Sequence, residues 1–309
     1  MRAIGTTEFD GPLEVLDVPE PHPGPGEVRI RVHAATVNPT DLGVVSGRYR
    51  DRHTSPGPYI PGADAAGVVD EVGEGSRWTV GDRVAAVVVP YQPAGGAYAD
   101  HVVVPETSVL RLPDDVDFPA GSTFTMNALT ARLLLDRLEL SPGRTLAVTG
   151  AAGAFGGYVV QMAKADGLRV VADASEKDEA LVSDLGADVV VRRGDDVAAR
   201  IREAVPEGVD ALVDGSVQAE QTTAAVKDGG RIGSVRGWDA ELERGVVAVP
   251  VLVYEHVDRD DLLRKLEEQL AAGVYTLRVA DVLPAERAGE ALERLASGGV
   301  RGRLVLDFT

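Results

Sequence analysis

The chain has 309 residues, of which 44% are hydrophobic, and its formal net charge is −18. This length allows two packed domains, because single cores rarely grow beyond roughly 250–300 residues. A surface this negative repels phosphate backbones, so the composition argues against nucleic-acid binding. The lack of cysteine excludes disulfides and any zinc site with a cysteine ligand. The sequence has no signal-peptide pattern and no apolar run of about 18 residues, so we expect a cytoplasmic protein without a membrane segment.

The first 115 residues consist mainly of short strand-like runs between glycine and proline turns. The run "EVRIRVHAATV" (27–37) begins with the alternation of a half-buried strand. Similar runs follow at 67–75, 81–89 and 99–106. The pattern predicts an irregular β domain.

From about residue 116 the texture changes to an alternation of helices and strands. A helix pair is predicted over residues 118–140, and strands and helices then alternate, with a last helix over 219–230 and a last apolar strand over 245–255. Alternation at this spacing predicts βαβ units and a doubly wound parallel sheet, so the fold class is α/β. Two amphipathic helices and the strand "GRLVLDF" close the chain, and that strand could return to the sheet of the first domain.

A glycine-rich turn follows the first of these strands. The stretch "AAGAFG" (151–156) matches the dinucleotide fingerprint G-x-G-x-x-G, with an alanine in the first glycine position. The second glycine leaves room for the pyrophosphate, the third allows close helix packing, and the helix N-terminus favours phosphate. The alternative is a tight turn that binds nothing. The cofactor-binding residues predicted here are Gly150, Ala151, Gly153, Ala154, Phe155 and Gly156.

The choice between NAD and NADP depends on residues about 20 positions later. Asp173 lies where an acidic residue usually binds the adenosine ribose and disfavours a 2′-phosphate. Ser175, Lys177 and Arg193 lie nearby in the predicted sheet and could together bind that phosphate. Asp173 therefore favours NAD, whereas Ser175, Lys177 and Arg193 favour NADP. Further along, glycine turns that end two successive strands are expected near the nicotinamide, at Gly215, Gly233 and Ser234.

Several segments together resemble the zinc-independent quinone oxidoreductase (zeta-crystallin-like) branch of the medium-chain dehydrogenase/reductase superfamily. Their order and spacing extend over nearly the whole chain. The segments are "VNPTDLGVVSGRY" (37–49), "IPGADAAGVVDEVGEG" (60–75), "VGDRV" (80–84), "GAYADHVVVP" (96–105), "MNALTA" (126–131), "VTGAAGAFGGYVVQMAKADG" (148–167) and "GGVRGRLVL" (298–306).

The resemblance implies two domains and a cofactor. A GroES-like catalytic domain would comprise residues 1–115, with 262–309 returning to it, and a Rossmann nucleotide-binding domain would comprise 116–261. The usual cofactor of this branch is NADPH, with NADH as the alternative because Asp173 departs from the small or neutral residue found there. Zinc-dependent relatives carry a cysteine at the position of Asn38 and "GHE" where this chain has "GAD", so no metal site is expected.

Without a metal, the hydride acceptor must already be electrophilic, as quinones and α,β-unsaturated carbonyls are. By resemblance, Asn38 and Asp41 line the substrate site and Thr130 lies beside the nicotinamide. Asn38 could donate a hydrogen bond to the substrate carbonyl or be only a turn residue, whereas Asp41 is expected to order its loop. Asn127 would make a polar contact near the cofactor or cap a helix, and Tyr49 would line the substrate side or pack against the proline-rich loop 56–61.

These residues predict an NADPH-dependent quinone oxidoreductase or enone reductase that acts on a small molecule. The alternatives are a dedicated biosynthetic enoyl reductase or reductive cyclase and, from another class, a non-enzymatic nucleotide-binding structural protein. By resemblance, the apolar segment 246–253 is the edge that pairs with its twin in a homodimer, and an exposed edge strand would otherwise be an aggregation risk.

Overall fold

The structure is a computed structural model, and it describes residues 1–235, 238 and 240–309. The strands, in chain order, are β1 (Arg2–Gly5), β2 (Glu14–Asp17), β3 (Glu27–Thr36), β4 (Asp64–Val72), β5 (Arg83–Val87), β6 (His101–Pro105), β7 (Val109–Arg111), β8 (Thr145–Thr149), β9 (Arg169–Ala174), β10 (Val189–Arg192), β11 (Val209–Asp214), β12 (Val226–Ser234), β13 (Val247–Pro250), β14 (Val279–Pro284) and β15 (Arg303–Asp307). The α-helices are α1 (Pro39–Val45), α2 (Phe118–Ser122), α3 (Thr125–Leu138), α4 (Ala154–Ala165), α5 (Glu179–Asp184), α6 (Val197–Ala204), α7 (Asp260–Ala271) and α8 (Ala288–Ala296).

The chain forms two compact units. The first unit comprises Met1–Met126, Tyr254–Ala271 and Leu277–Thr309. The second unit comprises Asn127–Val253 and Ala272–Thr276. The first unit is therefore assembled from segments that are far apart in the sequence.

The first unit is built around a mostly antiparallel sheet with the strand order β14-β15-β3-β4-β5-β7, and β6 also pairs with β3. The strand β15 runs antiparallel to β3, with Val305 opposite Thr36. The side chains of Val28, Ile30 and Val32 on β3 are at most 3% exposed and belong to the hydrophobic core. The alternation seen at the start of β3 therefore has its origin in this core.

The second unit is built around a parallel sheet with the strand order β10-β9-β8-β11-β12-β13. Every neighbouring pair in this order is parallel. The central strand β8 is a continuous apolar run with nearly all its residues buried, which is typical of parallel strands covered on both faces. The predicted α/β class with a doubly wound parallel sheet is confirmed.

The helix predicted over residues 219–230 is wrong. Residues Ala219–Ala225 form a 3-10 turn, and Val226 already belongs to β12. The backbone N–H of Ala219 donates to Asp214 at 2.7 Å, and Ala219 has a positive φ of 49°. This bond closes a tight turn directly after β11, so the chain reaches the next strand without an α-helix.

The strand predicted over residues 245–255 is shorter than expected. Only β13 is extended, and Val253–Glu255 form a 3-10 turn. The strand lies at the edge of its sheet, and its side chains are not buried on both faces, because Val247 is 51% exposed. A proline at the end of β13 limits further pairing, since proline has no backbone N–H.

Among the described residues, no helix is both long enough and apolar enough to cross a bilayer.

Candidate functional site

The glycine turn after β8 leads directly into the twelve-residue helix α4. Gly150 has a φ of +68°, and a Cβ on this residue would lie 2.7 Å from the backbone of Gly215. A Cβ on Gly156 would lie 2.3 Å from the carbonyl oxygen of Gly150, so α4 starts in close contact with the turn. These contacts fix the path of the chain and require glycine at both positions.

Gly153 differs from the other two glycines, because the position that a Cβ would occupy there is largely open space. Among the described residues, a Cβ there would meet only the carbonyl oxygen of Gly150, at 3.1 Å. Gly153 precedes α4 directly, so the space lies beside the first backbone N–H groups of this helix, which have no acceptors within the helix. The turn therefore fits the pyrophosphate of a dinucleotide.

The other predicted nucleotide contacts lie at the same edge of the sheet, because β8, β11 and β12 are parallel neighbours. Gly215 follows β11 and donates its N–H to the Thr149 carbonyl oxygen at 3.0 Å. Gly233 and Ser234 end β12, and Ser234 is buried. The remaining predicted residues are in the turn itself or in the first turn of α4, namely Ala151, Ala154 and Phe155.

Asp173 contacts the glycine turn. It is the penultimate residue of β9, and its Oδ1 accepts a hydrogen bond from the N–H of Ala151 at 3.1 Å. Burial raises the pKa of Asp173, while the backbone hydrogen bonds of the turn and the charge of Arg193 act in the opposite direction. The structure thus gives this carboxylate a role that the sequence did not predict, which is to support the turn.

The three residues predicted to bind a 2′-phosphate differ in their availability. The hydroxyl of Ser175 donates to Asp178 at 2.5 Å, so it is already engaged. The backbone N–H of Arg193 donates to the carbonyl of Ala174 at 2.9 Å, which places Arg193 beside the end of β9. The side chains of Arg193 and Lys177 are exposed, and neither forms an ion pair with any residue that the structure describes. The side chains of Lys177 and Arg193 are therefore two cations that are available to a 2′-phosphate.

In the first unit, Asp41 organises the segment that begins α1. Its Oδ2 accepts hydrogen bonds from the N–H of Asn38 at 2.8 Å and from the hydroxyl of Tyr98 at 2.9 Å. Its Oδ1 accepts from the N–H of Gly62 at 3.1 Å. Burial raises the pKa of Asp41 to about 7, although these hydrogen bonds lower it. The carboxyl therefore joins three separate segments of the first unit.

The side chain of Asn38 is buried and engaged. Its amide nitrogen donates to Oδ2 of Asp64 at 2.8 Å and, over a longer 3.4 Å, to the carbonyl of Thr36. Oδ1 of Asp64 accepts from the hydroxyl of Thr125 at 2.5 Å and from the N–H of Met126 at 2.7 Å. The amide nitrogen of Asn38 thus already has two protein acceptors, and its donation to a substrate carbonyl stays a prediction.

Asn127 and Thr130 lie in the second unit on α3. Asn127 is the third residue of this helix, so it is inside the first turn rather than at the N-cap. Its side chain is 6% exposed, whereas Thr130 is half-buried. The capping alternative predicted for Asn127 does not hold, and its polar contact near a cofactor stays a prediction.

The first unit contains a group of aromatic rings that the sequence did not reveal. Tyr91 lies at its centre, with ring centroids 5.2 Å from His53 and 5.3 Å from Tyr254. The ring of Phe9 stacks on Tyr59 at 4.0 Å, and Tyr59 meets His53 at 4.9 Å. We call these rings the aromatic cluster, which comprises Phe9, Tyr49, His53, Tyr59, Tyr91 and Tyr254.

Tyr49 joins the aromatic cluster from the segment after α1. Its ring centroid lies 5.6 Å from that of Tyr91. A Cβ on Gly43 would lie 2.2 Å from a carbon of the Tyr49 ring, so the glycine in α1 makes room for the ring. Tyr49, predicted on the substrate side, thus lies against both α1 and Tyr91.

Three polar atoms around the aromatic cluster are buried without a hydrogen-bond partner among the described residues. They are Oγ1 of Thr40, the hydroxyl of Tyr254 and Nε2 of His53. Burial lowers the pKa of His53, which favours the neutral imidazole. The sequence motifs include Thr40 only within the segment 37–49, and they do not include His53. The distance in sequence between these residues and Tyr254 explains why no spacing pattern connected them.

The positions of the zinc ligands in related enzymes hold other residues here. By family resemblance, the compared positions are Asn38 and the segment "GAD" (62–64), and here the amide of Asn38 donates to Asp64 at 2.8 Å. In the part of the chain that the structure describes, no group of three or more histidine, cysteine, aspartate or glutamate side chains is arranged to hold a metal ion.

Comparison with known families agrees with this architecture. The model for the alcohol dehydrogenase GroES-like domain matches residues 24–114, and the model for zinc-binding dehydrogenase matches residues 185–306. These two ranges fall mainly in the first unit and in the second unit with the C-terminal segment. The name "zinc-binding dehydrogenase" describes the family as a whole and does not show that this chain binds zinc.

Full-length relatives are also similar. Quinone oxidoreductase from Sus scrofa is 30% identical over 328 residues, covering 99% of this chain and 97% of that protein. An alcohol dehydrogenase from Geobacillus stearothermophilus is 31% identical over 349 residues and covers 99% of each. The structure of a mycobacterial protein complexed with NADPH is 28% identical, with a TM-score of 0.85, and covers 99% of this chain and 100% of that one.

The fold, the glycine turn and these relatives together define the class. The chain belongs to the quinone oxidoreductase branch of the medium-chain dehydrogenase/reductase superfamily, as its sequence motifs predict. It is therefore an oxidoreductase.

Proposed function

We propose that the protein transfers a hydride from NADPH to a quinone or an α,β-unsaturated carbonyl compound without the help of a metal ion. The observation that carries this proposal is the hydrogen bond from the amide of Asn38, where zinc-dependent relatives carry a cysteine by family resemblance, to Asp64. An amide is a poor zinc ligand, and this one is already engaged. An acceptor in this site must therefore be electrophilic by itself.

The proposed cofactor is NADPH. The glycine turn and α4 would hold the pyrophosphate, and Lys177 and Arg193 would bind the 2′-phosphate, since charge-assisted hydrogen bonds to phosphate are strong. Asp173 does not oppose this choice strongly, because its carboxylate is bonded to the turn. The mycobacterial neighbour complexed with NADPH supports the same choice. NADH remains the alternative cofactor.

When bound, the reduced nicotinamide supplies the hydride, and the protein contributes mainly orientation. By family resemblance, Asn127 and Thr130 would lie near the nicotinamide. In the first unit, Asp41 keeps the segment after β3 in place through its three hydrogen bonds. The aromatic cluster offers apolar ring edges and faces against which a planar acceptor would pack, because aromatic rings pack well edge to face and offset.

The experiment is a measurement of NADPH oxidation with four acceptors: naphthoquinone, benzylideneacetone, acetone and cyclohexanone. We expect turnover with the first two and none with the unactivated ketones, and a strong chelator should leave the rates unchanged. Turnover of the simple ketones that is lost with the chelator would contradict the proposal, since that behaviour requires a Lewis acid.

We also propose that the protein forms a homodimer through β13. This strand lies at the edge of the parallel sheet, and Val247 and Leu252 are 51% and 41% exposed. Val247 forms an isolated antiparallel bridge with Glu241, and the part of the apolar edge strand beyond this bridge is suited to pairing with a second copy.

A further inference from the structure

We propose that the hydroxyl groups of Tyr254 and Thr40 are the hydrogen-bond donors that bind the carbonyl oxygen of an aryl or quinone-type acceptor. This inference rests on the proposed function and deepens it. It replaces the expectation that Asn38 is that donor. All residues concerned belong to the first unit.

The need for another donor follows from the position of Asn38. Its amide nitrogen is committed to Asp64 and Thr36, and Asp64 in turn is held by Thr125 and Met126. Turning the amide toward a ligand would leave a buried carboxyl without its partner, which is costly. Asn38 therefore behaves as a structural residue that fixes the start of α1.

Tyr254 and Thr40 are suited to the task because their oxygens are buried but unsatisfied. The Tyr254 phenol lies near enough to the Thr40 hydroxyl and to the Tyr91 phenol for these groups to affect one another's pKa. Nevertheless, neither oxygen completes a hydrogen bond of good geometry with any described residue. Buried hydroxyls nearly always have a partner, so two neighbouring exceptions indicate a place where a ligand supplies the acceptor. A carbonyl oxygen, with two lone pairs, can accept from both.

The surroundings of Tyr254 keep its proton in place. Burial raises the pKa of Tyr254 well above the ordinary value of tyrosine, and the nearby charge of Asp41 raises it further. The phenol therefore stays protonated at neutral pH and acts as a donor of hydrogen bonds, not as a source of protons.

The ring of Tyr91 defines the shape of the ligand that fits beside these donors. It lies edge-on to Tyr254 at 75° and to Tyr49 at 63°, and it is 5% exposed. Rings arranged in this way form a wall that is apolar and rigid. A conjugated carbonyl attached to a ring can place its flat face on this wall and its oxygen at the two hydroxyls.

The consequence for the reaction can be written for an enone. The β-carbon gains a hydride from the reduced nicotinamide and forms a C–H bond, while the electrons of the C=C bond shift so that the oxygen becomes an enolate. Tyr254 and Thr40 stabilise this oxygen as its negative charge develops. A proton from water then forms the C–H bond at the α-carbon. The acceptor is reduced by two electrons and the nicotinamide is oxidised.

The test compares Tyr254→Phe, Thr40→Val and Thr40→Ser with the parent protein. Tyr275→Phe is the matched control, because Tyr275 is a buried tyrosine of the second unit outside the proposed site. With benzylideneacetone, we expect kcat to fall about tenfold to a hundredfold in Tyr254→Phe and in Thr40→Val. Thr40→Ser should keep its activity, because it retains the hydroxyl, and the control should stay within about twofold of the parent.

A second readout needs no turnover. Benzylideneacetone bound to the cofactor-free protein should show a red-shifted absorption band, because hydrogen bonds to a conjugated carbonyl lower its transition energy. The shift should be lost in Tyr254→Phe and Thr40→Val but kept in Thr40→Ser. If Tyr254→Phe does not fold, the Thr40→Val and Thr40→Ser pair decides.

The possible failures are distinguishable. If the parent oxidises NADPH with benzylideneacetone and shifts its spectrum, while Tyr254→Phe and Thr40→Val match it in both measurements, the two hydroxyls are not the donors and this inference is wrong. If the parent reduces neither benzylideneacetone nor naphthoquinone, the proposed function itself fails and this inference fails with it.

Discussion

Replacing Asp41 by asparagine should remove the contribution of this carboxyl group to the pH dependence of the unfolding free energy. Asp41 is completely buried, and its pKa is raised from 3.8 to about 7 in the folded protein. Between these values the folded protein holds a proton that the unfolded chain has released. The free energy of unfolding therefore falls as the pH rises through this window, and becomes independent of this group above about pH 7.

The magnitude follows from the two pKa values. At about 1.4 kcal/mol per pKa unit, the shift corresponds to about 4 kcal/mol, of which about 3 kcal/mol is lost between about pH 5 and about pH 8. Asparagine lacks this titration, but it offers one acceptor oxygen where the carboxylate serves three donors, from Asn38, Gly62 and Tyr98. This loss costs about 1–3 kcal/mol. We expect the stability of Asp41→Asn relative to the parent to rise by about 3 kcal/mol between about pH 5 and about pH 8, so that the variant is the more stable of the two near pH 8.

The assay is urea unfolding followed by the fluorescence of Trp78, which is a buried residue of the first unit, in a Trp238→Phe background. The quantity of interest is the difference in unfolding free energy between parent and variant at each pH. Asp17→Asn is the control, because the side chain of Asp17 is 99% exposed and its replacement should have little effect. A difference between parent and Asp41→Asn that stays constant from about pH 5 to about pH 8 would refute the reasoning.

The remaining predictions concern the second unit. Arg193→Ala should raise the Kd for NADPH about tenfold and leave that for NADH unchanged, as measured by quenching of protein fluorescence; an equal change for both cofactors would contradict a contact with the 2′-phosphate. Gly156→Ala should lower the Tm and weaken both cofactors, because its Cβ would lie 2.3 Å from the Gly150 carbonyl, and an unchanged Tm would show that the turn can relax. Val247→Lys should convert a dimer into a monomer on gel filtration, because a charge on β13 disfavours pairing, and a parent that elutes as a monomer would contradict the dimer proposal.

The parts of the molecule that could be predicted from sequence depend on local patterns. The alternation of strands and helices was enough for the parallel sheet, because several of its strands contain a short apolar run, such as "LAV" in β8 and "VVV" in β10, followed by a helix or turn. The glycine turn was visible because its residues are adjacent in the chain. The motifs also sufficed for the family, since they occur in order along nearly the whole sequence.

Where the prediction was wrong or incomplete, contacts between distant residues decided the outcome. The orientation of the Asn38 amide depends on Asp64, which lies in another strand. The turn at Ala219 depends on a hydrogen bond to Asp214, which competes with helix formation. Asp173 contacts Ala151 rather than standing free at the end of its strand. No periodicity in the sequence reports such pairings.

The aromatic cluster is the clearest example of this limit. Its members extend from Phe9 to Tyr254, and they meet only because distant segments of the chain share the first unit. Aromatic residues make up only 5% of the chain, so their concentration in one place becomes visible only in three dimensions.

The pairing of β15 with β3 has a consequence for biosynthesis. All strands of the parallel sheet lie between Thr145 and Pro250, so this sheet can form while the ribosome is still adding the final segment. The antiparallel sheet cannot be completed at that stage, because β3 waits for a neighbour encoded at Arg303–Asp307. Because β6 pairs with Glu27–Arg31 of β3, only Ala34–Thr36 wait for β15, and the nascent chain carries this short unpaired edge until the final segment is made.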